Sequence, residues 1–97
     1  MSYNIYAEGD VDFVELSRMA RSFESIEVFP IAGDGLPDGL GIAVPSSRAD
    51  ERARDELDQL IRHLWAAEAK VFDLYVGARI AGDADLPAVY GRIFGPA

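Results

Sequence analysis

The chain has no cysteine and only one lysine, one histidine and one tryptophan in 97 residues. Without cysteine there is no disulfide framework, no thiolate metal site and no thiol nucleophile. With one histidine, His63, there is no histidine cluster for a metal, and no Ser-His-Asp or Cys-His arrangement is visible around it. No apolar run approaches the roughly 18 residues that a membrane-spanning helix needs. The start, Met1-Ser2-Tyr3-Asn4, lacks the basic and apolar regions of a signal peptide. These readings place the chain in the cytoplasm, or in a host's cytoplasm if a phage encodes it.

What is present is acid. Seventeen Asp and Glu face nine Lys and Arg, a formal net charge of −8. Residues 1–47 hold eight acids and two bases; residues 48–97 hold nine acids and seven bases. Such a field repels nucleic acid and anionic membrane and attracts basic surfaces. A hydrophobic fraction of 49% with 27% charged residues still matches a globular chain. Five Phe, four Tyr and one Trp supply core material. The length suits one acidic domain over 1–97.

Period-two alternation predicts a strand over Tyr3–Glu8. Asp12-x-x-Glu15 resembles a capping box, and Phe13, Leu16, Met19, Ala20 and Phe23 then recur at helical spacing. A second strand runs over Ile26–Ala32, and Pro30, which cannot donate to a ladder, marks it as an edge. Turn-forming residues fill 33–39. Leu40, Ile42 and Val44 make a third strand, so the two strands form a hairpin with a long loop. Ser47-x-x-Asp50 signals the longest helix, with Ala53, Leu57, Leu60, Ile61 and Leu64 on one face and the pairs Arg52–Glu56, Arg54–Asp58 and Asp58–Arg62 on the other. Alternation from Phe72 to Ile80 predicts a fourth, long strand. In the tail, Asp85 caps a short turn with Pro87 behind it, and Val89–Phe94 is a short strand or packed extension. The order β-α-β-β-α-β predicts an α+β, ferredoxin-like sandwich, one antiparallel sheet with two helices on one face.

Parity divides the sheet. Ile5, Ile26, Val28, Leu40, Ile42, Val44, Phe72, Leu74 and Val76 are expected on the core side. Tyr6, Glu8, Glu27, Phe29, Ile31, Asp73 and Tyr75 are expected on the far side, an aromatic patch ringed by carboxylates. Such a patch on a small domain marks a contact surface. Base stacking, the other use of an aromatic sheet face, fails here because the face is acidic.

Other chemistry is thin. The carboxylate pairs Asp10/Asp12, Asp55/Glu56 and Asp83/Asp85 lack the spacing of a calcium loop, and Asp34 and Asp38 suit a turn. Gly33, Gly35, Gly39 and Gly41 match no phosphate loop. The expectation is therefore a non-enzymatic chain with no cofactor and no metal. Its partner-binding residues are Tyr6, Glu8, Asp10, Asp12, Glu15, Glu24, Glu27, Phe29, Asp34, Asp38, Asp73 and Tyr75. They would occupy the basic, nucleic-acid-binding surface of a protein or nucleoprotein partner, the physical strategy of anti-CRISPR, anti-restriction and toxin-immunity proteins. That analogy rests on charge and size. The alternative is a homodimeric regulatory or small-ligand-binding domain. An enzyme using His63 or a carboxylate is the third reading.

Overall fold

The computed structural model describes residues 2–9, 11–31, 39–45 and 50–95. Its elements run β1 (Ser2–Glu8), α1 (Phe13–Met19, continued by a 3-10 turn, Ala20–Ser22), β2 (Glu27–Ile31), β3 (Gly39–Pro45), α2 (Glu51–Ala66), β4 (Lys70–Asp73), β5 (Ala78–Ile80) and, after a 3-10 turn at Asp83–Asp85, α3 (Leu86–Phe94). The class is α+β. One antiparallel sheet has the order β2-β3-β1-β4-β5, with β1 at its centre.

Local chemistry explains most boundaries. The Asp12 carboxylate accepts from the Glu15 N–H at 3.1 Å and starts α1. The second half of the expected capping box is missing, because Glu15 turns to Arg18 at 2.8 Å. Asp50 caps α2 by accepting from the Ala53 N–H at 2.9 Å; Ser47 lies outside the described residues. At the other end of α2, the Glu68 N–H reaches the Trp65 carbonyl and the Ala69 N–H reaches the Leu64 carbonyl, both at 2.9 Å. This is the Schellman pattern, with Glu68 at φ 64° where glycine is usual.

Cross-strand partners share a face, so the register assigns every side chain. Ile5 sits opposite Ile42 and Asp73; Ala7 sits opposite Leu40 and Val71; Val71 sits opposite Ile80. This face is buried together with Phe13 and Leu16 of α1, Leu57, Leu60, Ile61 and Leu64 of α2, and Leu86, Val89 and Tyr90 of α3. Helices α1, α2 and α3 therefore cover the same side of the sheet. β2 is an edge strand, as Pro30 requires.

The structure departs from expectation at three places. The long fourth strand is a hairpin. Asp73 turns the chain by accepting the Tyr75 N–H on its carboxylate at 2.9 Å and the Gly77 N–H on its carbonyl at 2.8 Å, with Gly77 at φ 69°. The register of β4 is offset by one residue from the parity expected. Val71 and Asp73 point into the core and Phe72 points away, while Leu74 and Val76, expected inside, are exposed in the turn. Finally, 86–94 is a helix with Pro87 in its first turn, and the Asp85 carboxylate takes the Ala81 N–H at 2.8 Å rather than capping it. Among the described residues, five strands and three α-helices replace the four and two of the expected sandwich.

Candidate functional site

The uncovered side of the sheet is the best-defined candidate. Register lines up Phe29, Gly41, Tyr6, Phe72 and Arg79 as one continuous row across all five strands. A parallel row holds Ile31, Gly39, Glu8 and Lys70, and a third holds Glu27, Ala43 and Asn4. The rings lie flat on the sheet. A Cβ at Gly39 would overlap the Tyr6 ring, and one at Gly41 would overlap the Phe29 ring, so these glycines of β3 make room for their neighbours' aromatics. Tyr6 and Phe72 stack with centroids 6.5 Å apart. Phe29 is 45% exposed and Ile31 38%. No helix lies over this surface among the described residues.

The charged residues of these rows are Glu8 and Glu27 toward the β1–β2 side and Lys70 and Arg79 on β4 and β5. All four are exposed, and none forms an ion pair among the described residues. The face is therefore electrically mixed, acidic at one side and basic at the other.

Of the partner-binding residues expected from sequence, the structure brings Tyr6, Glu8, Glu27 and Phe29 together here. Asp10, Asp34 and Asp38 lie outside the described residues. Asp12 is the cap of α1, Glu15 pairs with Arg18, and Glu24 pairs with Arg52 at 3.1 Å. The placement of Asp73 and Tyr75 on this face is corrected. Asp73 is fully buried on the covered side, and Tyr75, in the β4–β5 turn, stacks on Tyr3 with centroids 5.2 Å apart. Phe72, Lys70 and Arg79 belong to the face and were missed, because the β4 register that places them is not visible in local parity.

Asp73 anchors a network behind the sheet. It accepts the Tyr3 hydroxyl at 2.5 Å, Arg92 Nη2 at 2.8 Å and the Tyr75 N–H. Burial alone raises the pKa of this carboxyl, but the Tyr3, Arg92 and Tyr75 hydrogen bonds outweigh it and hold it below the ordinary value. Burial and the neighbouring Asp73 carboxylate push the Tyr3 phenol up. Where α2 meets α3 and the turn before it, a second set lines a cleft of about 290 Å³: the Tyr90 hydroxyl donates to Asp58 at 2.8 Å, Arg62 bridges Asp58 and Asp83, and Arg54 stands 5.1 Å over the Tyr90 ring instead of pairing with Asp58. These charges are committed to one another. Glu56, also buried, accepts the Glu24 and Ser25 N–H groups at 3.0 and 2.9 Å and ties the entry of β2 to α2.

His63 is exposed in the last turn of α2. Asp83 and Asp85 are spent on Arg62 and the Ala81 N–H. Among the described residues no group of three or more His, Asp or Glu is placed to hold a metal ion, and no helix is long and apolar enough to cross a membrane. No family model matches the chain, and no curated protein or solved structure matches it either.

Proposed function

We propose that this chain is a non-enzymatic, acidic protein-binding inhibitor that covers a basic surface of a partner, one that itself binds nucleic acid, in the manner of anti-CRISPR, anti-restriction or toxin-immunity proteins. The reading is carried by one observation: an aromatic row left uncovered on a sheet, flanked by two exposed carboxylates that form no ion pair among the described residues. Phe29, Tyr6 and Phe72 are the anchors, and Glu8 and Glu27 are the charges that meet the partner's cations. The overall −8 steers the encounter from a distance. Many other acids are tied up by Arg18, Arg52, Arg62 and Arg92, so the contact is narrower than a whole acidic flank. We further infer that β1 to β4 with α1 and α2 follow a ferredoxin-like path, to which β5 and α3 are appended; the order β2-β3-β1-β4 supports this.

The test is capture from a host lysate with the tagged wild type and with a Phe29→Ala, Glu8→Lys, Glu27→Lys variant, followed by affinity measurements on the purified captured protein. The proposal expects a nucleic-acid-binding protein held by the wild type, at least about tenfold weaker binding by the variant, and affinity that falls steeply with salt. Equal binding by both proteins, flat from low to high salt, overturns it.

A further inference from the structure

The open face is charged in a pattern that complements itself. β1 is the middle strand of five. Consider a two-fold axis lying along β1, between two copies placed face to face. It sets β2 over β5 of the second copy and β3 over β4, while β1 meets β1. Aligned sheet packing allows this arrangement with the strands rotated by about 30°. The long row then reads Phe29, Gly41, Tyr6, Phe72, Arg79 in one copy and the reverse in the other. Phe72 falls on Gly41 of the second copy, the point where the Phe29 ring already lies flat. Arg79 falls on Phe29 of the second copy, in cation–π position, with Glu27 two residues along the same strand and within an arginine's reach. Lys70 falls on Gly39 of the second copy, whose cross-strand neighbour is Glu8. At the axis Tyr6 meets Tyr6. Glu8 also meets its own mate there, a repulsion offset by the Lys70 that stands one strand away from each.

We propose that a second copy of this chain occupies the open face when the partner is absent, so that self-association masks the docking surface and dilution or a partner releases it. The proposal rests on the reading that this face is the docking surface, and it deepens that reading by naming its resting occupant. An isologous contact of this kind needs one patch that matches itself under the two-fold, and a patch acidic on one side and basic on the other meets that need. Strand spacing of about 4.8 Å and three rows about 7 Å apart give a footprint of roughly 400–500 Å² a copy. The total of about 900 Å² lies at the weak end of specific interfaces, which makes the dimer reversible.

Sedimentation velocity over a series from low micromolar to about 1 mM protein tests this. The wild type is expected to pass from monomer to dimer within that range. Arg79→Glu, which sets the new acid against Glu27, and Glu27→Arg, which sets the new base against Arg79, are each expected to weaken the dimer at least about tenfold. Combining them restores pairing across the axis and is expected to recover most of the loss. Both positions are exposed, and circular dichroism of each variant verifies that the fold is kept. A wild type monomeric throughout, or a dimer indifferent to the single changes, overturns the proposal. Neither result touches the docking reading, which stands or falls on whether the Phe29→Ala, Glu8→Lys, Glu27→Lys variant binds the captured protein. Loss of that binding by a protein that never dimerises separates the two.

Discussion

The two faces of the sheet use the same residue types for opposite ends. On the covered face an acid, Asp73, is fully buried and every one of its hydrogen-bonding demands is met by Tyr3, Arg92 and the β4–β5 turn. On the open face Glu8 and Glu27 are exposed and make no ion pair among the described residues. Aromatics divide in the same way. Phe13 is sealed in the core, whereas Phe29 lies on a glycine of β3 and faces solvent. Net charge and aromatic count therefore describe neither face. A buried carboxylate is held by its partners and contributes to the fold, while an exposed one is free to contribute to recognition.

That contrast can be broken by substitution. Asp73→Ala removes the acceptor of Tyr3, Arg92 and the turn N–H at once, and a loss of about 2–4 kcal/mol is expected in urea denaturation. The Glu8→Gln, Glu27→Gln pair, by contrast, is expected to stay within about 0.5 kcal/mol of wild type. A comparable loss from both would erase the distinction between the faces. Glu56→Ala comes next. It strips the acceptor from the Glu24 and Ser25 N–H groups, the latter buried, and about 1–3 kcal/mol is expected to go, with Glu56→Gln recovering part of it.

pH sharpens the same comparison. Asp73 and Asp58 both titrate below their ordinary range in the folded protein. For each, burial works against ionisation; at Asp73 the Tyr3 and Arg92 bonds outweigh it, and at Asp58 the Tyr90 and Arg62 bonds do. A lowered folded pKa means stability that is present above the unfolded value of 3.8 and lost as pH falls below it. The tyrosines give the mirror image. Burial and the Asp58 carboxylate push Tyr90 up, so its contribution is complete below the unfolded value of 10.0 and lost as pH rises beyond it. Thermal melts across pH are expected to show both limbs, with the acid limb reduced in an Asp73→Asn variant. The smallest effect is a gain: Glu68→Gly relieves the left-handed residue after α2, and about 0.5–1 kcal/mol of added stability is expected. An unchanged or lower melting temperature would contradict the strain assigned to Glu68.

Much of this was legible before any coordinates. Ala53, Leu57, Leu60, Ile61 and Leu64 recur with helical period and are all buried in α2. Pro30 marked β2 as an edge, and alternation in β1 and β2 placed Tyr6, Glu8, Glu27 and Phe29 on the uncovered side. Parity failed in β4, where Phe72 looks like core and Asp73 looks like surface. Parity does not reveal it, because beside the local Tyr75 N–H the side chains that make a buried Asp73 tolerable, Tyr3 and Arg92, lie 70 residues before it and 19 after it.

Sequence by itself thus determined the α+β class, the helix α2, the edge strand and the first half of the open face, since each follows from periodicity and backbone chemistry within a few residues. Only the tertiary structure decided the turn at Asp73, the helix α3 and the membership of Phe72, Lys70 and Arg79 in the open face. Those depend on which strand lies beside which and in what register, and pairing between distant segments leaves no mark on the order of residues in either one.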